Sequence, residues 1–217
     1  MDDQTQKNLK NMIEKQIVSR GVVNPKILEL MSSIDRSLFI PKSHSDISYE
    51  DTPVPIGFGQ TISQPLTVAF MLEKLDVQPG HKVLDVGSGS GWTTALLAAI
   101  VGEKGKVYGI EIIPEIYEFG KANVMRYSFL NKGIVEMYCG NGLEGLKEAA
   151  PFDRIMCSAA VQEIPPAFKD QLKIGGKMIF PMNNSLWLMS KKNETDFDTE
   201  EYPGFIFVPA IEKILDL

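Results

Sequence analysis

The chain has 217 residues, 44% hydrophobic and 23% charged, a balance that suits one folded domain and excludes a disordered chain. Its formal net charge is -6, so a phosphate backbone is repelled and nucleic acid is not an expected partner. Its two cysteines, Cys139 and Cys157, suit neither a disulfide framework nor a zinc spacing; they read as reduced thiols, and no metal is expected.

The start, MDDQTQKNLK, lacks the apolar stretch of a signal peptide, and the longest apolar run, Ala95 to Val101, is too short to span a bilayer. A cytoplasmic protein with no membrane partner is expected. Leu9, Met12, Ile13 and Ile17 recur on one face of a first helix, which Gly21 stops. Asn24-Pro25 opens a second helix as N-cap and first residue, with Ile27, Leu28, Met31 and Ile34 as its inner stripe. Tyr49 to Pro65 carries three Pro and two Gly in seventeen residues and reads as an ordered loop rather than helix or strand. Pro65 opens a helix with Val68, Met71, Leu72 and Leu75 inward, ended by Gln78-Pro79-Gly80.

From Lys82 the chain alternates. Strands are expected at Lys82–Val86, Lys106–Ile110, Ile134–Cys139, Arg154–Ser158 and Lys177–Phe180, with helices at Trp92–Val101 and Glu115–Phe129. Gly175-Gly176 is read as lying ahead of the last of these strands. Such alternation implies right-handed crossovers and an α/β fold: a doubly wound, mostly parallel sheet with helices on both faces. Ser185–Ser190 and Phe205–Val208 read as an antiparallel pair joined by a charged, solvated loop. The whole, 1–217, is expected to be one domain. It comprises a helical extension (1–50), a loop (51–65), a core (66–183) and C-terminal antiparallel strands (184–217).

The strongest local signal is VLDVGSGSGW, Val83 to Trp92, an apolar strand running through Gly87, Gly89 and Gly91 into a helix. Ligands of open parallel sheets bind at the carboxyl ends of the strands, where this loop lies. The spacing G-x-G-x-G puts Trp92 where a dinucleotide fingerprint wants its third glycine, and no Gly-Lys-Ser/Thr follows for a P-loop. Taken alone, such a loop is also compatible with a structural turn. Glu111 ends the next strand, where a carboxylate accepts the hydroxyls of a ribose or simply meets solvent. Asp85, the glycine loop with Ser88, and Glu111 together resemble the pattern of class I methyltransferases. In that family the loop faces the methionine part of S-adenosylmethionine and the second-strand acid holds the ribose. Asn141-Gly142 stands where those relatives usually have Asp-Gly, whose acid accepts from the adenine amino group; the amide oxygen of Asn141 is expected to accept there without the charge.

The loop Pro55 to Pro65, PIGFGQTISQP, resembles the hallmark loop of the protein-L-isoaspartate O-methyltransferases. So do Asp35-Arg36-Ser37-Leu38-Phe39 with Pro41, Ala150-Pro151-Phe152-Asp153, Gln171-Leu172-Lys173 with Gly175-Gly176, and Phe207-Val208-Pro209, all in order. The resemblance implies a Rossmann-like fold and methyl transfer from S-adenosylmethionine, leaving S-adenosylhomocysteine, to the side-chain carboxylate of L-isoaspartyl residues in damaged peptides or proteins. It implies that Ser63 orients the acceptor carboxylate and that Gln60, Thr61 and Ile62 line the cofactor; an ordinary helix-cap role is the alternative for Ser63. A carboxylate is already an anionic nucleophile at neutral pH, so no strong base is needed, and His44 and His81 are read as surface residues. The turn after Pro181 looks short, and Val208-Pro209-Ala210-Ile211 departs from the usual Val-Pro-Leu, which keeps another carboxylate acceptor open. So does a binding protein without turnover, because of Asn141. Cys157-Ser158-Ala159-Ala160 lacks the Asn/Asp-Pro-Pro-aromatic turn of nucleic-acid amino methylases. A monomer is expected.

Overall fold

A computed structural model describes residues 3–213. Residues 1–2 of the expected extension and 214–217 of the expected C-terminal segment lie outside the described residues.

The first helix, α1, is Asp3–Asn11; it continues through a π-helical stretch, Met12–Ile17, and a 3₁₀ turn to Gly21, whose φ of 94° ends it. Leu9, Met12, Ile13 and Ile17 are all buried, as their spacing requires. Helix α2, Pro25–Ser33, is capped by Asn24, whose side chain accepts from the backbone N–H groups of Lys26 and Ile27. Two 3₁₀ turns, Arg36–Phe39 and Lys42–Ile47, lead on.

The segment expected to be a loop folds instead as a β-hairpin of β1, Val54–Gly57, and β2, Gln60–Ile62. Its prolines hid the strand: Pro55 is exposed on a two-stranded edge, where a missing N–H costs nothing, while Val54, Ile56 and Ile62 turn inward. Helix α3, Pro65–Leu75, follows, with Val68, Met71, Leu72 and Leu75 buried.

The core then alternates through β3 (Lys82–Val86), α4 (Trp92–Val101), β4 (Lys106–Glu111), α5 (Pro114–Met125), β5 (Val135–Cys139), β6 (Phe152–Cys157), α6 (Pro166–Gln171), β7 (Leu172–Met182), β8 (Ser185–Lys191) and β9 (Phe197–Pro203). The sheet order is β5-β4-β3-β6-β7-β8-β9; β8 pairs antiparallel with both β7 and β9, and every other pair is parallel. Helices α4 and α5 pack with the N-terminal helices against one face, and α6 packs with Phe152, Ile155 and Phe180 on the other. This is the doubly wound sheet with antiparallel C-terminal strands that the alternation predicts. The strand order reverses between β3 and β6, and the crevice at their carboxyl ends is the ligand position of such sheets.

Two strand assignments are corrected. Strand β7 begins at Leu172, so Gly175-Gly176 lies inside it; the register against β6 shifts there between Phe152 and Arg154, and Gly175 takes φ 80°. The partner of β8 is Phe197–Pro203, not Phe205–Val208. As the outer edge of the sheet, β9 exposes Asp198, Thr199, Glu200 and Glu201 in succession, so it carries no apolar alternation and reads as a solvated loop. Phe205 stacks on Phe70 of α3, with ring centroids 5.2 Å apart. Beyond it the chain runs back to the sheet: Ala160 N–H donates to Val208 O and Ala210 N–H to Ala160 O, each at 2.8 Å. The turn between β7 and β8 is as tight as Met182-Asn183-Asn184 suggests, with both asparagines left-handed at φ 55° and 58°.

The glycine loop is locked against α5. A Cβ on Gly91 (φ 84°) would lie 2.7 Å from Gly120 O, and one on Gly120 would run into Gly89 O. Gly120→Ala therefore sets helix propensity, worth about 1 kcal/mol in favour of Ala, against backbone overlap, worth about 1–3 kcal/mol against it. The obstacle is main chain and cannot swing aside, so the variant is expected to be destabilised by about 1–2 kcal/mol. Urea denaturation checks this; a variant as stable as the parent means the loop and α5 separate freely.

Candidate active site

At the carboxyl ends of β3 and β6 lies an open cleft of about 800 Å³, part of it continuous with solvent. Its floor is the glycine loop. Gly87 N–H and Ser88 N–H both donate to Ile110 O, which ties the loop to the end of β4, and Gly87 and Gly89 adopt φ 72° and 53°. Such left-handed turns suit glycine because no Cβ opposes the following carbonyl. The hairpin lies over this loop: the Ile56 side chain is within 3.6 Å of where a Gly89 Cβ would stand.

Gly87, Ser88, Gly89, Glu111 and Gly142 line the cleft on the sheet side, and Gln60, Thr61, Ile62 and Ser63 line it from β2 and the residue beyond. Nine of the residues singled out in the sequence thus meet in one space. Glu111 is buried, with Oε2 accepting from Gly89 N–H and Oε1 from Ile113 N–H, both at 3.0 Å. Burial raises its pKa, and those two backbone donors oppose the rise. Each oxygen keeps a lone pair for a further donor in the cleft.

The hydroxyl of Ser63 donates to none of the described residues, and it does not cap α3. The N-cap is Gln64, without a side-chain bond, and Leu66 N–H at the helix start is taken by Asp51 Oδ1 at 2.9 Å. The helix-cap alternative for Ser63 is thereby removed, and so is Leu66 as a backbone donor to a ligand. The Ser63 carbonyl is held from behind by Arg36. This guanidinium, fully buried, donates from Nη1 to Ser48 O at 2.6 Å and from Nη2 to Thr52 O at 3.0 Å and Ser63 O at 3.1 Å, and it lies 5.5 Å from the Trp92 ring centroid. Burial lowers its pKa to about 10, Asp51 opposing, so it stays charged at neutral pH.

Three expected cofactor residues do not line the cleft. Asp85 lies beneath the loop, fully buried, with Oδ2 accepting from Thr94 Oγ1 at 2.6 Å and Thr93 Oγ1 at 3.1 Å. Burial raises its pKa to about 6 even though both hydroxyls pull it down. Gly91 is the left-handed N-cap of α4, turned to Gly120. Asn141 caps its own turn, accepting from Leu143 N–H at 3.0 Å and donating to Glu144 Oε1 at 3.1 Å; Gly142 and Leu143 reach the cleft instead. A short polar residue before a turn bonds its own backbone in preference to a distant partner.

Sequence reasoning missed Arg36 as the support of the loop, and Ser90, Thr93 and Ser158 as wall residues. Ser158 had a signal: it directly follows β6 at the reversal point of the sheet. Val208 to Ile211 also line the cleft, delivered by the pairing with Ala160. The buried hydroxyl oxygens of Ser88 and Ser158 have no hydrogen-bond partner among the described residues. With Glu111, they give the cleft polar groups for a ribose and a zwitterionic tail, while Ile112, Ile113 and Leu143 form an apolar wall near Gly142. The residues present fit a nucleoside joined to an amino acid.

A sequence model of the protein-L-isoaspartate(D-aspartate) O-methyltransferases matches residues 6–215. The chain belongs to that family. It is similar to the protein-L-isoaspartate O-methyltransferase of Methanothrix thermoacetophila, with 42% identity over 89% of this chain and 91% of the relative. The enzyme of that name from Flavobacterium psychrophilum is 40% identical over 97% of this chain and 98% of the relative. Among solved structures, a putative protein-L-isoaspartate O-methyltransferase from Plasmodium falciparum, in complex with S-adenosyl-L-homocysteine, superposes with a TM-score of 0.84 at 27% identity. The match covers 96% of this chain and 99% of that one. This methyltransferase uses S-adenosylmethionine and acts on L-isoaspartyl residues.

Two outcomes follow from the carboxylates. Glu111→Gln keeps the shape but turns an amide N–H₂ toward a backbone N–H and removes the charge, so affinity for S-adenosylhomocysteine should fall by about 1.5–3 kcal/mol. Titration calorimetry on the folded variant tests this, and unchanged affinity takes Glu111 out of cofactor binding. Asp85 has a folded pKa above its unfolded one. Its contribution to stability is therefore full below pH about 4 and is lost as pH rises through about 6. Asp85→Asn cannot ionise, so its stability relative to the parent should climb between pH 4 and 7.5, by at most about 3 kcal/mol. Denaturation curves at both pH values read the difference; a flat one means that Asp85 is not ionised at a cost.

Proposed function

We propose that Ser63 holds the acceptor carboxylate of the isoaspartyl residue, and that Glu111, the glycine loop and the Gln60–Ile62 strand hold S-adenosylmethionine. The observation that carries this is the Ser63 hydroxyl: it lines the cleft, bonds to none of the described residues, and stands on a carbonyl fixed by Arg36.

When bound, S-adenosylmethionine supplies a sulfonium methyl carbon as electrophile. The acceptor is ionised at neutral pH, so the protein need not remove a proton. Its task is to desolvate the carboxylate and aim one oxygen, and Ile56, Ile62 and Val68 give the cleft apolar walls for that. Glu111 accepts the hydroxyls of the ribose with the lone pairs its two backbone donors leave free. Ser63 donates one hydrogen bond to the carboxylate oxygen that does not attack.

We also propose that the enzyme works as a monomer in the cytoplasm. Among the described residues seven large apolar side chains are exposed, Phe58 and Ile206 of the cleft walls included, and no element carries more than one of them; Cys139 is an exposed free thiol suited to a reducing compartment. Sedimentation at micromolar concentration tests the first; a dimer overturns it.

Ser63→Ala should lower the single-turnover rate by one to two orders of magnitude, since a small misplacement of a reacting atom costs on the order of a hundredfold. Affinity for S-adenosylhomocysteine and melting temperature should stay at parent values, because the hydroxyl caps nothing. A variant that methylates an isoaspartyl peptide at the parent rate removes Ser63 from the reaction.

A further inference from the structure

Two large apolar side chains are displayed on the two segments that wall the cleft outside the sheet. Phe58, 51% exposed, stands at the hairpin tip two residues before Gln60, and Ile206, 83% exposed, stands two residues before Val208. Neither exposure is a by-product of loose chain. Phe205 is anchored on Phe70 and Phe207 is half-buried, and Ile206 between them faces outward.

Phe58 carries a second signal. It takes φ 50° and Gly59 φ 70°, the left-handed pair of a two-residue hairpin turn. That turn favours Asn-Gly, because asparagine tolerates the left-handed region and a bulky aromatic residue does not. The first turn position thus holds a residue that both the backbone and the solvent disfavour. Local strain combined with an exposed ring, on a segment that lines the catalytic cleft, points to a contact made by the ring itself.

We propose that Phe58 and Ile206 are specificity-determining residues that contact apolar side chains flanking the isoaspartyl residue in the substrate peptide. The proposal rests on the isoaspartyl reading of the cleft. The occupant follows from position: a peptide whose carboxylate reaches Ser63 continues past the rim, and these side chains stand on the segments that form the rim. Apolar contact discriminates by side-chain size and shape, so isoaspartyl peptides with Leu or Phe beside the damaged residue are preferred over peptides with Gly or Lys there.

The test is steady-state methylation of matched isoaspartyl peptides, with Phe, Leu, Gly or Lys on each side, by the parent, Phe58→Asn and Ile206→Ser. Phe58→Asn creates the favoured turn pair, so its melting temperature should equal or exceed the parent's. The parent should show a lower KM for the Phe and Leu peptides. In each variant that KM should rise by about five- to twentyfold, as expected for a lost apolar contact, with kcat and the Gly-peptide KM unchanged. A parent that methylates all four peptides with one KM, or variants that lose the Gly and Phe peptides equally, overturns the proposal. A parent that methylates no isoaspartyl peptide overturns instead the reading beneath it.

Discussion

The geometry of the cleft depends on one buried cation. Arg36 sits at the end of the N-terminal helical segment, yet its three hydrogen bonds end on Ser48, Thr52 and Ser63, and its plane lies against Trp92 at the start of α4. Trp92 in turn donates from Nε1 to Ile34 O, two residues before Arg36. Extension, hairpin and α4 therefore share one junction. Burying a guanidinium costs several kcal/mol, and charge-assisted bonds return about 1.5–3 kcal/mol each, so the net stabilisation is small. What the junction supplies is uniqueness: a planar fork meets carbonyls in one orientation, and a loop without secondary structure of its own at Ser63 acquires a fixed position. Arg36 Nε has no acceptor among the described residues, and an unpaired buried donor costs about 1–3 kcal/mol, which lowers the net further.

Beneath the glycine loop the same exchange recurs with opposite sign of charge. Asp85 holds the first turn of α4 through Thr93 and Thr94, and burial makes its ionised form costly. Glu111 at the end of β4 bonds the loop at Gly89 and the next turn at Ile113. The floor of the cleft is thus set by carboxylates bonded to protein before any ligand arrives. Such preorganisation lowers the ordering cost of binding, at the expense of stability near neutral pH.

The parallel core was legible because its signals are local: apolar strands, punctuating glycines and a 3.6-residue stripe in α2 and α3. The misreadings share a cause. At β1 the prolines lie on an edge where no ladder bond is required, and at β9 the outer face meets only water, so in both cases the pairing that makes a strand is invisible along the chain. Within the site, Ser63 and Glu111 were singled out by place in a pattern and both line the cleft, but the division between Asp85 beneath the loop and Ser88 within the cleft depends on which way each side chain points. The side chain of Asn141, expected at the adenine, bonds Leu143 N–H and Glu144 of its own turn, a direction that the pattern does not show. Gly120 had a signal of its own, a lone glycine within a helical pattern, whose meaning appears only when Gly91 is brought against it.

On the role proposed for Ser63, rigidity there bears directly on selectivity. An isoaspartyl residue and a normal aspartyl residue both offer a carboxylate of ordinary acidity, so reactivity cannot separate them. They differ in where the carboxylate hangs from the chain, by about one methylene. A compliant pocket gains only about 1–3 kcal/mol of discrimination from a displacement of that size. A fixed hydroxyl and a fixed methyl donor do better, because an oxygen offset by about 1 Å from the line of transfer loses on the order of a hundredfold in rate. Selection therefore falls on alignment rather than on affinity, and alignment is what a loop clamped through three carbonyls to a buried guanidinium provides.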